Sequence, residues 1–442
     1  MESVTEIGGS STANIDEKLV LDIKAMFESS RQQFSIGGGG LGLISVPDHL
    51  RKLDEQAFTP LLLSIGPIHL SNVKLQSTKR YKVQFCESFL RWTKMDLKDL
   101  VGCVRSCEKE IRSYYAENIL SDISSDDFVA MILVDAMFIL GYFYKQSYLT
   151  SELDGMIPDW MHPFLKLDMV LLENQLPFSV LEMLFNQATS SAELKTEALL
   201  ELALEFFQCY NFQKMSLENI AARIENFTDL VRLFHLNVSQ LRNRISGGAK
   251  LPYSATQLHE AGVKFKGVKF EVATKRYGGD RCFLDLRFDL KNGVLEIPCI
   301  TLNAEKIRLI RNISALEQSL YVGHAYVTDF FVILDFLIDT SKDVDLLCKE
   351  GILVNYLGDS NAAASAINNL NTNILWDYMN PNYSKICEDL NVFYKKPWHK
   401  WRATLWRQYF STPWRAASTS AAIILLLLTL AQTVCSLKST IW

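Results

Sequence analysis

This chain of 442 residues lacks the short signatures of familiar chemistry. There is no His-Glu-x-x-His, no Gly-x-Ser-x-Gly and no Walker A run ending in Gly-Lys-Ser/Thr, which removes the zincin, hydrolase-elbow and P-loop classes. Its seven histidines, at 49, 69, 162, 235, 259, 324 and 399, include no pair at i, i+4. The opening MESVTEIGGSSTANIDEKLV has neither the basic stretch nor the apolar stretch of a secretory signal. Met1-Glu2 excludes N-myristoylation, and SLKSTIW at the other end is no prenylation box. Strong charge of one sign is missing too: 45 Lys and Arg stand against 50 Asp and Glu, a formal charge of −5. With 48% hydrophobic and 11% aromatic residues, the composition excludes a disordered, collagen-like or strongly basic nucleic-acid-binding chain.

One absence is local. No acidic residue follows Asp389, whereas Lys395, Lys396, Lys400, Arg402, Arg407, Arg415 and Lys438 do. The chain therefore divides into a body of 38 cations and 50 anions, at −12, and a tail at +7. Inside that tail, Ala416 to Leu437 reads AASTSAAIILLLLTLAQTVCSL without a charge. At a rise of about 1.5 Å per residue, a helix of that length spans roughly 30 Å, the thickness of a bilayer core. Ile423, Ile424, Leu425, Leu426, Leu427 and Leu428 are unbroken, and Leu430 follows one Thr later. Soluble core helices rarely run so long without a charge, so the sequence predicts a transmembrane helix over 416–437 and a lipid bilayer as its partner. Mean hydropathy is +0.06 for the whole chain and falls just below zero without this segment.

Six of the seven cations precede the span, which places the N-terminal body in the cytosol by the positive-inside rule. Trp398, Trp401, Trp406, Tyr409, Phe410 and Trp414 interleave with them, a mixture suited to an anionic headgroup layer. The alternative, a basic-aromatic nucleic-acid surface, fits less well because the cluster abuts the span. The expectation is a single-pass, tail-anchored protein of the plasma membrane or an endomembrane. Its sequons, at Asn226, Asn237, Asn312 and Asn382, should then carry no glycan. Nine scattered cysteines agree with a reducing compartment. Cys103 and Cys107 are the one close pair, with no second pair or nearby His to complete a zinc site.

The predicted organisation is a tail, helix and Gly-rich linker over 1–43, a globular domain over 44–394, a basic-aromatic juxtamembrane segment over 395–415, the span over 416–437 and a short tail over 438–442. The fold class is mostly α, with a small antiparallel β element near 262–300. Ile15, Leu19, Ile23, Met26 and Phe27 have helical spacing. Gly37-Gly38-Gly39-Gly40-Leu41-Gly42 fits G-x-G-x-x-G by letter, but no helix opens after it, so it reads as a linker. Pro60, Gly66 and Pro67 fix an irregular stretch, FTPLLLSIGPIHL. DFVAMILVDAMFILGYFYKQ reads as a buried central helix capped by Ser125 or Asp126. Pro177 should break the helix of Leu167 to Phe185 near residues 174–176. Leu217, Ile220, Ile224, Phe227, Val231 and Phe234 form a short coiled-coil-like seam, which predicts one helix from Ser216. Cys282, Leu284, Leu286, Phe288 and Leu290 alternate before Asn292-Gly293, which predicts a hairpin with a two-residue turn into VLEIP. Helices resume near Ala304, with breaks near Ser341 and Gly358.

Candidates for catalysis reduce to Glu173-Asn174 and Glu317-Gln318, acid–amide pairs in apolar contexts. A buried Glu can act as acid or base, but it is more often hydrogen-bonded to a helix end or to backbone freed by a nearby Pro such as Pro177. No cofactor-binding or metal site is predicted.

Taken in order, several phrases resemble one family. They are Val46-Pro47 with Leu50-Arg51, FTPLLLSIGPIHL from Phe58, DAMFIL from Asp135, and LDMVLLENQLPFSVLEMLF from Leu167, which contains Glu173, Asn174, Gln175 and Pro177. LHEAGVKFK from Leu258, NGVLEIPCITLN from Asn292 with Gly293 and Pro298, RNISALEQ from Arg311, DFLIDTSKDVDLLCKEGILVNYLG from Asp335 and the stretch from Tyr409 complete the set. The chain resembles the plant family called domain of unknown function 247, from about Ile44 onward. Arg112-Ser-Tyr-Tyr115 departs from the family's usual pattern there. The resemblance implies a plant membrane protein with no established enzymatic activity, and some grass members are linked to self-incompatibility. Members are often drawn with the body outside the cell, whereas charge here places it inside. The expected function is a membrane-anchored interaction, recognition or signalling protein with a protein or peptide partner. The alternatives are an enzyme using Glu173 or Glu317 with a neighbouring His, which needs converging titratable groups in a pocket, and a membrane scaffold.

Overall fold

The computed structural model describes residues 44–148, 156–191, 198–220, 223–236, 243–247, 250–269, 284–374, 377–396 and 413–441. The predicted helix over 16–34 and the glycine linker lie outside them. So do Trp398, Lys400, Trp401, Arg402, Trp406 and Arg407 of the juxtamembrane segment. The protein is mostly helical with few strands, and the chain divides into two compact units. The first takes the chain up to Val46 and then Thr59–Ala203; the second takes Pro47–Phe58 and the chain from Leu204.

The first unit is built on α1 (Lys79–Thr93), α2 (Leu97–Ser106), α3 (Ser125–Tyr148), α4 (His162–Asp168) and α5 (Phe178–Ser191). α3 is the central helix that its apolar sequence predicts. Phe128, Ile132, Ala136, Phe138, Ile139 and Phe143 are all fully buried around its circumference. Its cap lies one residue earlier than expected: the Ser124 hydroxyl accepts from the Asp127 amide at 3.2 Å and donates to its carboxylate at 2.6 Å. Phe85 of α1 meets Phe138 and Tyr142 of α3 edge-on, and Gly141 lets the two helices approach, with the Phe85 carbonyl 3.4 Å from where a Cβ would stand. A break does precede Pro177, but it starts earlier than the expected 174–176. The chain leaves the helix after Asp168 and re-enters it at Phe178, so the Glu173-Asn174-Gln175 stretch is buried irregular backbone.

The second unit contains α6 (Phe227–Leu233), β1 (Ile245–Ser246), β2 (Lys264–Val268), β3 (Arg287–Asp289), β4 (Val294–Pro298), β5 (Ile300–Leu302), α7 (Ala304–Leu320) and α8 (Tyr326–Leu337). There follow α9 (Ser341–Lys349), β6 (Leu353–Asn355), α10 (Ser360–Leu370), β7 (Tyr378–Met379), α11 (Pro381–Lys395) and α12 (Pro413–Ile441). The single helix predicted from Ser216 is not formed. A short turn of helix covers Leu217–Asn219, and α6 starts afresh because the Asn226 side chain accepts from the Asp229 amide at 2.9 Å. An additional break falls between α7 and α8, at 321–325, where apolar periodicity gives no warning.

The β element is mixed rather than antiparallel. β4 pairs antiparallel with β3, Phe288 facing Leu295, and parallel with β2, Phe265 facing Leu295 from the other side. β5 pairs parallel with β6, and β1 antiparallel with β7. The predicted hairpin exists, but its loop has four residues, 290–293, not two. Asp289 decides this: its carboxylate accepts from the amides of Lys291 and Asn292 and from the Asn292 side chain, drawing Leu290 and Lys291 into the turn. Gly293 closes the loop with φ +66°, and a Cβ there would stand 2.5 Å from the Phe393 ring.

Two helices bear on the membrane question. By length and composition, Ser125–Tyr148 is long and apolar enough to cross a bilayer, but it is mostly buried inside its unit. α12 is 29 residues long, and the apolar part of it with described side chains, Ala417–Thr433, falls in the shorter class of 10–17 residues. Ala416 and Leu437 lie in the helix.

Candidate functional site

In the first unit, the segment Thr59–Pro67 is apolar and buried for the most part, yet joins no sheet. Its backbone amides must find partners elsewhere, because a buried unpaired N–H costs about 1–3 kcal/mol. Side chains supply them. The Asp168 carboxylate accepts from three consecutive amides, Leu61 at 2.8 Å, Leu62 at 2.7 Å and Leu63 at 3.1 Å. Asn174 accepts from the Ile65 amide at 2.6 Å and donates to the Leu63 carbonyl at 3.0 Å and the Asp168 carbonyl at 2.9 Å. Asp135, on α3, accepts from the Gly66 amide at 2.8 Å and pairs with Lys82 of α1. Burial works to raise the Asp135 carboxyl and the Lys82 ammonium opposes it.

Glu173 belongs to the same network. Its Oε1 accepts from the Val46 amide at 3.1 Å, 127 residues away, and its Oε2 lies 4.0 Å from His69 Nε2. The Val46 partner is distant in sequence, not local to Pro177. Gln175 points inward, donating to the Met169 and Leu171 carbonyls at 2.6 and 2.9 Å, while its own carbonyl accepts from Tyr115 Oη at 2.9 Å. Gly66 has φ +71°, and a Cβ there would stand 2.9 Å from that Gln175 carbonyl. Pro60 and Pro67 are buried in the clasped segment, and the Pro177 carbonyl accepts from Val180 in the first turn of α5.

The second unit has its own buried polar group. Glu317, near the end of α7, accepts from the Val327 and Thr328 amides at 3.2 and 2.8 Å and from the Thr328 hydroxyl at 2.7 Å. It caps α8, whose own N-cap, Ala325, has no side chain able to do so. Burial raises the Glu317 carboxyl, and Arg232 together with these donors opposes the rise. Gln318 beside it is half-buried, with Nε2 unpartnered. Arg232 pairs with Asp229 at 3.0 Å and lies 3.8 Å over the Tyr321 ring, whose hydroxyl donates to Asp229 at 3.0 Å. Arg244 pairs with Asp329 at 2.7 Å, and the Asn380 amide fills the other Asp329 oxygen at 2.8 Å. Pro298 ends β4.

Two networks therefore gather the singled-out residues, Glu173-Asn174-Gln175 with Gly66 in one unit and Glu317 in the other. Gly293 serves the hairpin. Asp135, Asp168, Lys82, Asp329 and Arg244 escaped sequence reasoning, although charged residues in such apolar runs as DAMFIL and LKLDMVLL were the available signal. Among the described residues no group of three or more His, Cys, Asp or Glu side chains is placed to hold a metal ion.

The segments clasped here are the phrases that carried the family resemblance. The model of the family described as "Plant protein of unknown function", domain of unknown function 247, matches residues 43–428. The chain belongs to this family. Family members among curated proteins include an Arabidopsis thaliana protein named "UPF0481 protein At3g47200", 25% identical over 441 residues, covering 92% of this chain and 88% of the relative. A second from the same plant, "Putative UPF0481 protein At3g02645", is 21% identical over 509 residues and covers 93% of each. No solved structure matches the chain.

Proposed function

We propose that this family member is an interaction protein held at a membrane by α12, its folded body presented to a protein or peptide partner. The observation that carries the reading is the exposure of Ile423 to Leu428 and Leu430, each 47–68% accessible, in an uncharged stretch of α12. An apolar surface of that size is stable in lipid and unstable in water. α3 differs: its equally apolar residues are already buried in protein. Trp414 is 86% exposed at the start of α12 beside Arg415, as expected of residues in a headgroup layer. The excess of cations before the span favours a cytosolic body.

The buried carboxylates support interaction over catalysis. Glu317, Asp168 and Asp135 each spend their oxygens on backbone amides, a hydroxyl or a buried cation, which positions chain and leaves little capacity to move a proton, and Glu173 spends Oε1 on the Val46 amide. The test is cell fractionation of the native chain beside a form lacking residues 413–442. The native chain should sediment with membranes and the shortened form should stay in the supernatant. Sedimentation of both would overturn the assignment of α12 as the anchor.

A further inference from the structure

Outside both polar networks, the sulfur atoms of Cys107 and Met183 meet on the first unit, and a second cysteine, Cys103, lies one helical turn away. Cys103 and Cys107 are separated by one helical turn at the end of α2, an i, i+4 spacing that sets both on one face. Both are free thiols and both are half-buried. The Cys107 thiol turns back along the helix, 3.2 Å from the Cys103 carbonyl, and its sulfur lies 3.9 Å from Sδ of Met183 on α5. Burial raises the Cys107 thiol, and Glu110 and the Cys103 thiol add to the rise, so the group is a packed neutral thiol in the absence of a cation.

We propose that Cys103, Cys107 and Met183 form a binding site for a monovalent copper ion. Two thiolates and a thioether are a soft donor set, which selects Cu(I) over the harder divalent ions. A fourth ligand that zinc would require is missing: no His, Asp or Glu joins the two thiols in a metal-holding group among the described residues. Half-exposure of all three residues gives the ion a way in. Binding is a proton exchange with no redox step: the two thiols lose two protons, two Cu–S(thiolate) bonds and one Cu–S(thioether) bond form, and copper remains Cu(I) throughout. The proposal is independent of the membrane assignment, because the site lies wholly within the first unit.

The test is anaerobic titration of the reduced full-length protein in detergent with Cu(I), against bicinchoninate as competitor, in parallel with C103S, C107S and M183L. The native chain should hold one equivalent that the variants C103S and C107S lose, with two protons released on binding. M183L should weaken that equivalent by more than roughly a hundredfold, beyond what loss of a mere supporting group costs. X-ray absorption should count three sulfur ligands in the native protein and two in M183L. M183L conserves volume at a half-buried position, so its circular dichroism and Tm should match the native chain. Retention of the same affinity in C103S or M183L, or three sulfur ligands in M183L, would overturn the site.

Discussion

Asp168 accepts a hydrogen bond from the amide of Leu61 at 2.8 Å, across 107 residues of chain. With the Leu62 and Leu63 amides on its other oxygen, this one carboxylate does for Thr59–Pro67 what a neighbouring strand does elsewhere. Asp168→Asn replaces an oxygen with a donor and turns an NH2 group toward an amide N–H. The expected loss is about 2–3 kcal/mol of stability, read as a lower urea midpoint for the variant. An unchanged midpoint would mean that the segment is held by its apolar side chains alone.

Lys82 and Asp135 are 6% and 2% exposed, so neither charge has water to fall back on. Lys82→Met strands a carboxylate beside the Gly66 amide and should cost roughly 3–5 kcal/mol. Lys82→Met with Asp135→Leu should recover part of that loss, since it removes both buried charges. A double-mutant cycle on chemical denaturation checks the coupling.

Two glycines with opposite surroundings give a paired prediction. Gly66→Ala meets both a left-handed backbone and the Gln175 carbonyl, and should destabilise by about 2–4 kcal/mol. Gly102→Ala, in α2 with nothing within 4 Å of the new Cβ, should stabilise by up to about 1 kcal/mol. Thermal melts of the two variants should move in opposite directions.

His235 provides the pH dependence. It is buried, its Nδ1 hydrogen-bonded to the Val231 carbonyl at 2.9 Å, and burial with the nearby Lys306 charge lowers its pKa from 6.5 to about 4. The unfolded chain binds the proton first as pH falls, so this group's contribution is fully present above pH 6.5 and is lost as pH falls from there toward 4. Asp335 works in the other direction. Burial raises it to about 6, so it favours the folded state increasingly as pH falls below 6. His235→Asn should therefore flatten the loss of stability between pH 6.5 and 4 by up to one proton's worth of slope, measured as the urea midpoint against pH. A parallel pH profile in the variant would place the effect elsewhere.

Glu317 tests the capping role against a catalytic one. Glu317→Gln keeps the shape but sets an NH2 group against the donors at Val327 and Thr328, and should cost on the order of 1–3 kcal/mol. A variant as stable as the native chain would remove the cap from the account.

The sequence made the helices and hairpin legible where one local signal decides. Apolar residues on most of its faces located α3, and Gly293 marked the turn, whereas the helix ahead of Pro177 ends at Asp168, short of the break expected near 174–176. Readings failed where a distant or small partner decides. Asn226 restarts a helix inside an apparently continuous apolar seam, and Asp289 lengthens a loop that Asn-Gly alone would make short. Glu173 and Glu317 were visible as buried acids, but their partners, Val46 and the start of α8, follow from tertiary contact. Burial also changes the glycosylation argument. Asn226 and Asn312 are occupied in the core and closed to glycan in either topology, so among the described sequons only exposed Asn382 reports on it.

The central claim is that α12 lies within a bilayer, and alkaline carbonate extraction of membranes carrying the intact chain tests it most directly. The account predicts that the protein stays in the pellet at high pH, where charge-held peripheral proteins are released. Recovery of the intact chain in the carbonate supernatant would contradict it.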